Sequence, residues 1–246
     1  MKTEIYSKPI GEDHPNVKKV LEIAEEIMNK NKVLNIENLY NIAKKRLKLP
    51  RNGLLSIIQF LINKKLLIEG SKFSKETVLS NQIRKRILDY IFLNPGVHFS
   101  DLRKAALPEE MGSSGQLVWH LEMLLKFNYI HKIKVGNYTV FLPINIDGNS
   151  GEIYFLLRDK INYKIFNLLN KQNSVIRPDI YKEINEKRED VYYRINNLLE
   201  FELLVVHPTS EKEIIINPNI KGRISDILDT LRLYIQKKLV TSEDEV

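Results

Sequence analysis

The sequence predicts a mainly helical chain with small β-strands, an α+β fold class assembled from a repeated unit. One apolar pattern occurs three times, first at a constant offset of 63 residues (Leu54 to Leu117) and then at a constant offset of 74 (Leu117 to Val191). In each copy the apolar side chains recur at the spacing of one helix face, and a short apolar strand follows. Apolar residues make up 43% of the chain and charged residues 28%, which is typical of globular domains. Self-similarity at fixed offsets predicts a tandem array of small domains.

Each copy of the pattern has six apolar positions. They are Leu54, Ile58, Leu61, Ile62, Leu66 and Leu67 in the first repeat, Leu117, Leu121, Leu124, Leu125, Tyr129 and Ile130 in the second, and Val191, Ile195, Leu198, Leu199, Leu203 and Leu204 in the third. The two helices before the pattern also repeat, at an offset of 63 from Leu39 to Leu102 and of 78 from Leu102 to Ile180. Compared with the third repeat, the second therefore carries four additional residues between its second and third helices, within residues 107–112.

Three helices followed by a β-hairpin form a winged helix-turn-helix domain, whose third helix is the one offered to the DNA major groove. The sequence therefore predicts a tandem array of three winged helix-turn-helix domains plus a C-terminal helix. The predicted domains are residues 1–79 with a short wing, residues 80–150, and residues 151–246, which include the C-terminal helix.

The predicted wings differ between the repeats. In the second repeat, Tyr129–Val135 and Tyr138–Leu142 alternate in hydrophobicity around Gly136-Asn137, which is a strong hairpin signal. The third repeat has Leu203–His207 and Glu213–Ile216, with residues 208–212 as the predicted loop. In the first repeat little apolar sequence follows Leu66–Glu69, so we expect a short wing there.

A final amphipathic helix is predicted from Ile220 to Leu239. Its apolar face consists of Ile224, Ile227, Leu228, Leu231, Ile235 and Leu239. This face either packs on the core of the third repeat or forms a homodimer, as flanking helices of small DNA-binding modules do to reach two half-sites. Residues 241–246 are predicted to be an acidic, disordered tail.

The charge is unevenly distributed along the chain. The net charge is +7, with 15 basic and 9 acidic residues in 1–79, 8 and 6 in 80–150, and 15 and 16 in 151–246. A basic balance favours acidic partners such as nucleic acid. There is no cysteine, and no apolar run long enough to span a membrane, which together predict a cytoplasmic protein. Without a phosphate-binding loop or a zinc-ligand pair of histidines, we expect neither an enzyme nor a cofactor.

Two segments of the second repeat carry a family resemblance. They are Asn94-Pro95-Gly96-Val97-His98-Phe99, which leads into the second helix, and Gly115-Gln116-Leu117-Val118-Trp119-His120-Leu121, which opens the third. Over residues 80–205 the chain resembles archaeal winged helix-turn-helix proteins of the broad ArsR/MarR type. The resemblance implies a tandem winged-helix protein that binds double-stranded DNA and regulates transcription.

The residues predicted to face DNA come from all three repeats. They are Lys44, Lys45, Arg46, Lys48, Arg51, Asn52 and Gln59 in the first, Arg84, Lys85, Arg86, Ser113, Ser114, Gln116, Trp119, Lys132 and Lys134 in the second, and Arg188 and Arg194 in the third. Arginine, asparagine and glutamine can recognise base edges, whereas lysine and serine contact phosphates. The first repeat is the most cationic, so we expect the strongest electrostatic contribution there.

The outward faces also allow other interpretations. Lys44–Lys48 suits a solvated helix end, where cations are favoured. Trp119 and His120 suit structural aromatic residues packed beneath the wing. The alternative function is a protein–protein assembly module, like the winged-helix scaffolds of ESCRT subunits and general transcription factors. An exposed Trp119 or the acidic third repeat would then bind the protein partner.

Overall fold

The computed structural model describes residues 11–30, 32–106 and 114–231. The described chain is mainly helical and carries two small antiparallel sheets, which confirms the α+β class. It divides into two compact units, the first comprising residues 1–88 and 106–129 and the second comprising residues 89–105 and 130–246. No helix in the described ranges is long and apolar enough to cross a membrane. The division into three domains stays a prediction.

The helices and strands follow one another in a repeating order. The helices are α1 (Pro15–Asn29), α2 (Ile36–Leu47), α3 (Arg51–Asn63), α4 (Gln82–Leu93), α5 (Phe99–Ala106), α6 (Ser114–Lys126), α7 (Gly148–Leu157), α8 (Lys160–Gln172), α9 (Ile180–Glu183), α10 (Arg188–Glu200) and α11 (residues 221–231), with a 3₁₀-helix at Thr77–Ser80. The strands are β1 (Val97–His98), β2 (Ile130–Val135), β3 (Tyr138–Pro143), β4 (Ser174–Ile176), β5 (Leu204–His207) and β6 (Ser210–Ile216).

Both sheets have the same topology. The strand orders are β1-β3-β2 and β4-β6-β5, and every pair is antiparallel. The hairpin β2–β3 turns at Gly136, which has φ +55°, and pairs Val135 with Tyr138, which confirms the wing predicted in the second repeat. The hairpin β5–β6 has a shorter loop than predicted, because β6 already begins at Ser210.

The third helix of every repeat has the same length and the same ending. Helices α3, α6 and α10 each contain 13 residues, and their first residues keep the offsets of 63 and 74. Two residues after the last residue of each helix lies a residue with positive φ, namely Lys65 (58°), Asn128 (57°) or Glu202 (54°). A left-handed residue after a helix lets the following N–H groups satisfy the last free carbonyls. The periodicity thus correctly predicted both the helices and their register.

A single buried aliphatic residue precedes the second helix of each repeat. Its backbone pairs with the segment that follows the third helix of the same repeat. Val97 pairs with Phe141 and Val175 pairs with Ile214, both within small sheets. In the first repeat, the Leu34 N–H donates to the Ser71 carbonyl at 2.8 Å, and the Gly70 N–H donates to the Leu34 carbonyl at 2.8 Å. No strand lies between residues 32 and 81, so the short strand predicted after α3 is not formed, and these two hydrogen bonds take its place.

Each compact unit has its own apolar core. In the first unit, α1, α2 and α3 bury side chains that include Val20, Ala24, Leu39, Leu54 and Leu61. In the second unit, the main cluster gathers side chains of α7 to α11, β4, β5 and β6. Ile224, Ile227 and Leu228 of α11 are buried in that cluster. The first interpretation of the C-terminal helix, packing on the third repeat, is therefore correct for residues 221–231.

A close backbone approach fixes α7 in the second unit. Gly96 has φ +79°, and a Cβ atom there would lie 2.6 Å from the Phe155 backbone nitrogen. The ring of His98 lies 5.3 Å from that of Tyr138 and 6.3 Å from that of Phe155. Only glycine combines this backbone conformation with so close a contact.

Several predicted features lie outside the described residues. They are Ser113, the additional residues at 107–112, Ile235, Leu239 and the acidic tail at 241–246.

Candidate nucleic-acid interface

The end of α2 and the start of α3 carry a group of exposed cations. Lys44, Lys45, Arg46, Lys48 and Arg51 are all exposed. The first three lie in the last turn of α2, where the partial negative charge of the helix C-terminus favours them. Arg46 is engaged by Glu26, with 2.6 Å between Nη1 and Oε2. The other four form no ion pair with a carboxylate among the described residues, so they supply most of the positive potential here.

The outward face of α3 is mixed in character. Asn52 and Gln59 are exposed as predicted, and the Gln59 side chain donates a 2.7 Å hydrogen bond to Asn63 Oδ1. Leu55 is 44% exposed on the same helix. It lines an open groove of about 690 Å³ with Ser56 and other residues of α3. This face therefore offers amide groups suited to base edges together with apolar contact area.

The three consecutive basic residues of α4 do not share one environment. Lys85 and Arg86 are exposed, but Arg84 is only 1% exposed. The prediction that Arg84 faces DNA is therefore wrong for this structure. Arg84 lies at helix spacing with the buried residues Ile87, Leu88 and Ile91, so it belongs to the buried face of α4.

The first turns of α6 present few charges. Gln116 and Trp119 are exposed, Ser114 is half-buried, and His120 is 5% exposed. The rings of Trp119 and His120 meet edge to face, with their centroids 4.9 Å apart. Burial lowers the pKa of His120, and the nearby positive charge of Arg84 lowers it further. His120 is therefore buried, as its structural interpretation requires, whereas Trp119, at 48% exposed, keeps an accessible surface.

Two lysines lie on one face of the β2–β3 hairpin. Lys132 and Lys134 are both exposed and alternate with partly buried residues along β2. Residues two apart in a strand point to the same side of the sheet. The two ammonium groups therefore share a face, which suits contacts with a phosphate backbone.

The two arginines predicted on α10 differ in accessibility. Arg188 is exposed, and its guanidinium carbon lies 5.2 Å from the centre of the Tyr192 ring. Arg194 instead binds Asp159 through Nε and Nη2, at distances of 2.9 to 3.1 Å. The prediction that Arg194 faces DNA is therefore corrected, because its two-donor edge is already occupied by a carboxylate.

Asp159 has a second role at the start of α8. Its Oδ1 atom accepts hydrogen bonds from the Ile161 and Asn162 backbone N–H groups at 2.9 and 3.0 Å. Burial alone would raise the pKa of Asp159, but the hydrogen bonds from Arg194 and the backbone outweigh it, and the pKa is lowered. The carboxylate thus stays ionised, caps α8 and holds Arg194 in place.

Sequence patterns missed one cation beside α10. The guanidinium carbon of Arg177 lies 5.7 Å from the Tyr192 ring, and Nη2 of Arg177 donates a hydrogen bond to Asn196 Oδ1. Arg177 and Arg188 therefore both stack on one tyrosine of this helix. The signal was the Arg177-Pro178 pair, whose proline indicates a turn that brings the arginine back toward the following helix.

No group of three or more potential metal ligands occurs in the part of the chain that the structure describes.

Comparison with known proteins gives one relative of the helix-turn-helix class. The chain is 31% identical over 161 residues to an uncharacterized HTH-type transcriptional regulator of Methanocaldococcus jannaschii. The similarity covers 65% of this chain and 38% of that relative, so the chain spans less than half of the relative's length. No protein-family model matches the chain. The resemblance stated from the sequence is supported only at the level of helix-turn-helix regulators.

Proposed function

We propose that this chain is a DNA-binding transcriptional regulator built from three tandem winged helix-turn-helix domains. The observation that carries the proposal is the threefold recurrence of one 13-residue helix with one type of ending, in α3, α6 and α10. The similarity to a protein named as an HTH-type transcriptional regulator supports the same function. The role needs no catalytic step and no cofactor, and it would be carried out in the cytoplasm, where an archaeal chromosome lies.

Two kinds of side chain make different contacts in the proposed interface. Exposed lysines at the end of α2 and on β2 would neutralise phosphates, and this supplies affinity without sequence preference. Arg51 and Asn52, in the first turn of α3, would contact base edges, as would Gln116 on α6. Arg188 would add a contact from the third repeat. Arg84 and Arg194 are excluded from this proposed set.

Charge removal on the hairpin tests the proposal. The double variant Lys132→Ala, Lys134→Ala removes two exposed cations from one face of β2. A phosphate contact contributes about 0.9 to the slope of log affinity against log salt, so we expect the slope to fall by about 2. Fluorescence anisotropy with a labelled duplex measures it.

The matched control for the hairpin variant is Lys171→Ala, Lys182→Ala, which removes two exposed lysines outside the proposed interface. It should leave the slope unchanged. If the two double variants lose affinity equally, the effect is only one of net charge and the hairpin is not a contact.

A second candidate function is a protein–protein assembly module. Leu55 on α3 and Val118 and Trp119 on α6 are 44%, 48% and 48% exposed, and all lie on helices assigned here to DNA. Apolar anchors of this kind are typical of protein interfaces. Substituting Leu55 by Ser should leave DNA affinity nearly unchanged under the regulator hypothesis. It should abolish binding of a protein partner under the alternative.

We also propose homodimerisation through the C-terminal helix. Within residues 221–231 the apolar face is buried in the core of the same chain. A dimer contact would therefore use Ile235 and Leu239, which lie outside the described residues. Light scattering of the full chain and of Ile235→Asp measures the change in mass.

A further inference from the structure

Arg84 is a buried cation whose hydrogen-bonding capacity is largely unused. Its side chain is 1% exposed, and its Nη1 atom donates to the Val78 carbonyl oxygen. Its Nε and Nη2 atoms are buried and have no hydrogen-bond partner among the described residues. A buried charged group without a partner is costly, because it has lost the water that would solvate it. A ligand that supplies acceptors to these atoms would remove that cost.

The two aromatic rings beside Arg84 do not provide hydrogen-bond acceptors for its Nε and Nη2 atoms. The guanidinium carbon lies 5.3 Å from the centre of the Phe73 ring and 4.8 Å from that of Trp119. Aromatic rings attract a cation through their faces, but they do not accept the in-plane N–H groups. The two unpartnered nitrogens, Nε and Nη2, form one edge of the guanidinium. That edge is suited to bidentate binding of a carboxylate or a phosphate.

His120 brings a further unpartnered nitrogen to the same region of the first unit. It is 5% exposed, it contacts Trp119 ring to ring, and its buried Nδ1 atom has no hydrogen-bond partner in the described chain. Trp119 joins the two groups, because its ring centre lies 4.8 Å from the guanidinium carbon of Arg84 and 4.9 Å from the centre of the His120 ring. The unsatisfied atoms of this cluster are thus nitrogens that can donate, and the complementary group is an oxyanion.

We propose that Arg84 and His120 form a binding site for a small-molecule oxyanion, a carboxylate or a phosphate, at the Nε–Nη2 edge of the guanidinium. The oxyanion accepts from Nε and Nη2 of Arg84 and from Nδ1 of His120. Trp119 is half-exposed, so displacement of its indole gives the ligand access. Trp119 and His120 are consecutive residues of α6, and occupation of the site therefore changes the surface of that helix. This effect on DNA rests on the proposed function, whereas the site itself does not.

The only tryptophan of the chain reports directly on this site. Trp119 is that residue, so its emission can be followed in the full chain without DNA. Sodium phosphate and sodium acetate are titrated separately at constant ionic strength, with sodium chloride as the reference. We expect a saturable change in emission with phosphate, with acetate or with both, and none with chloride. The anion that saturates identifies the ligand class.

Two variants of α4 make the test specific. Arg84→Met removes the two-donor edge and should weaken the response at least tenfold, whereas Arg86→Met, at an exposed position of the same helix, should leave it unchanged. Should Arg84→Met fail to fold, the imidazole signals of His120 in the wild type provide the second measurement. They should shift with the same midpoint as the emission. No saturable response to either anion, or an equal loss in both variants, would overturn the proposal. Neither result depends on whether the chain binds DNA.

Discussion

Substitution of Asp159 by Ala should destabilise the second compact unit, because one carboxylate performs two structural tasks. It caps the N-terminus of α8 through the Ile161 and Asn162 amides, and it binds Arg194 of α10 through both oxygens. The substitution removes all of these hydrogen bonds together. The first turn of α8 and the position of Arg194 should both loosen.

The magnitude follows from the two tasks taken separately. Loss of a side-chain N-cap costs about 1 kcal/mol. The bidentate pair with Arg194 is charge-assisted, but the side chains are 24% and 36% exposed, so its contribution is discounted to about 1 kcal/mol. We therefore expect Asp159→Ala to lower the free energy of unfolding by about 2 kcal/mol and Arg194→Ala to lower it by about 1 kcal/mol. The double variant should show a coupling of about 1 kcal/mol.

Urea unfolding followed by circular dichroism gives the free energies, and hydrogen exchange of the Ile161 and Asn162 amides localises the loss. Asp190→Ala is the matched control, because Asp190 lies 3.8 Å from Arg194 but is 51% exposed, and it should cost less than about 0.5 kcal/mol. Because the pKa of Asp159 is lowered, its contribution is present above pH about 4 and is lost as the pH falls through the folded pKa. The reasoning is refuted if Arg194→Ala leaves stability unchanged and weakens DNA binding.

Two further changes follow from the same structure. Gly96→Ala should lower the free energy of unfolding in urea by about 2 to 4 kcal/mol, because its Cβ would meet the Phe155 backbone at 2.6 Å and its φ is +79°. The control Gly136→Ala has open space around it and should cost only about 1 to 2 kcal/mol. Equal costs in the two variants would contradict the close approach at Gly96. The pKa of His120 is lowered by burial and by Arg84, so the unfolded chain binds more protons just below pH about 6.5, and stability should fall as the pH drops through that range. His120→Gln should lose this part of the pH dependence, and an unchanged profile would show that His120 does not titrate as described.

The helices could be predicted from the sequence because their apolar positions repeat at fixed offsets. Helices α3, α6 and α10 each begin three residues before the first apolar position of the pattern, and even the left-handed residue after each one repeats. The short strand predicted after α3 was wrong, because two backbone hydrogen bonds at Leu34 replace a hairpin there. Backbone pairing of this kind leaves no signal in side-chain periodicity.

The candidate site was harder to predict, because charge alone does not reveal accessibility. Arg84, Lys85 and Arg86 are equivalent as a basic run, yet only the first is buried. The internal repeat could have predicted the burial of Arg84. The offset of 63 aligns Arg84 with Leu21, and the Leu21 side chain packs against the core of the first unit. Arg194 was misassigned for another reason. Its partner, Asp159, lies 35 residues away in sequence, and only the fold brings the two together.

The salt dependence of duplex binding by the full chain tests the central claim most directly. Anisotropy of a labelled duplex is measured from low to physiological salt, and log affinity is plotted against log salt concentration. If four of the exposed cations of α2, α3 and β2 contact phosphates, the slope is about −4. No binding at low salt, or binding without salt dependence, would contradict the assignment of these surfaces to DNA.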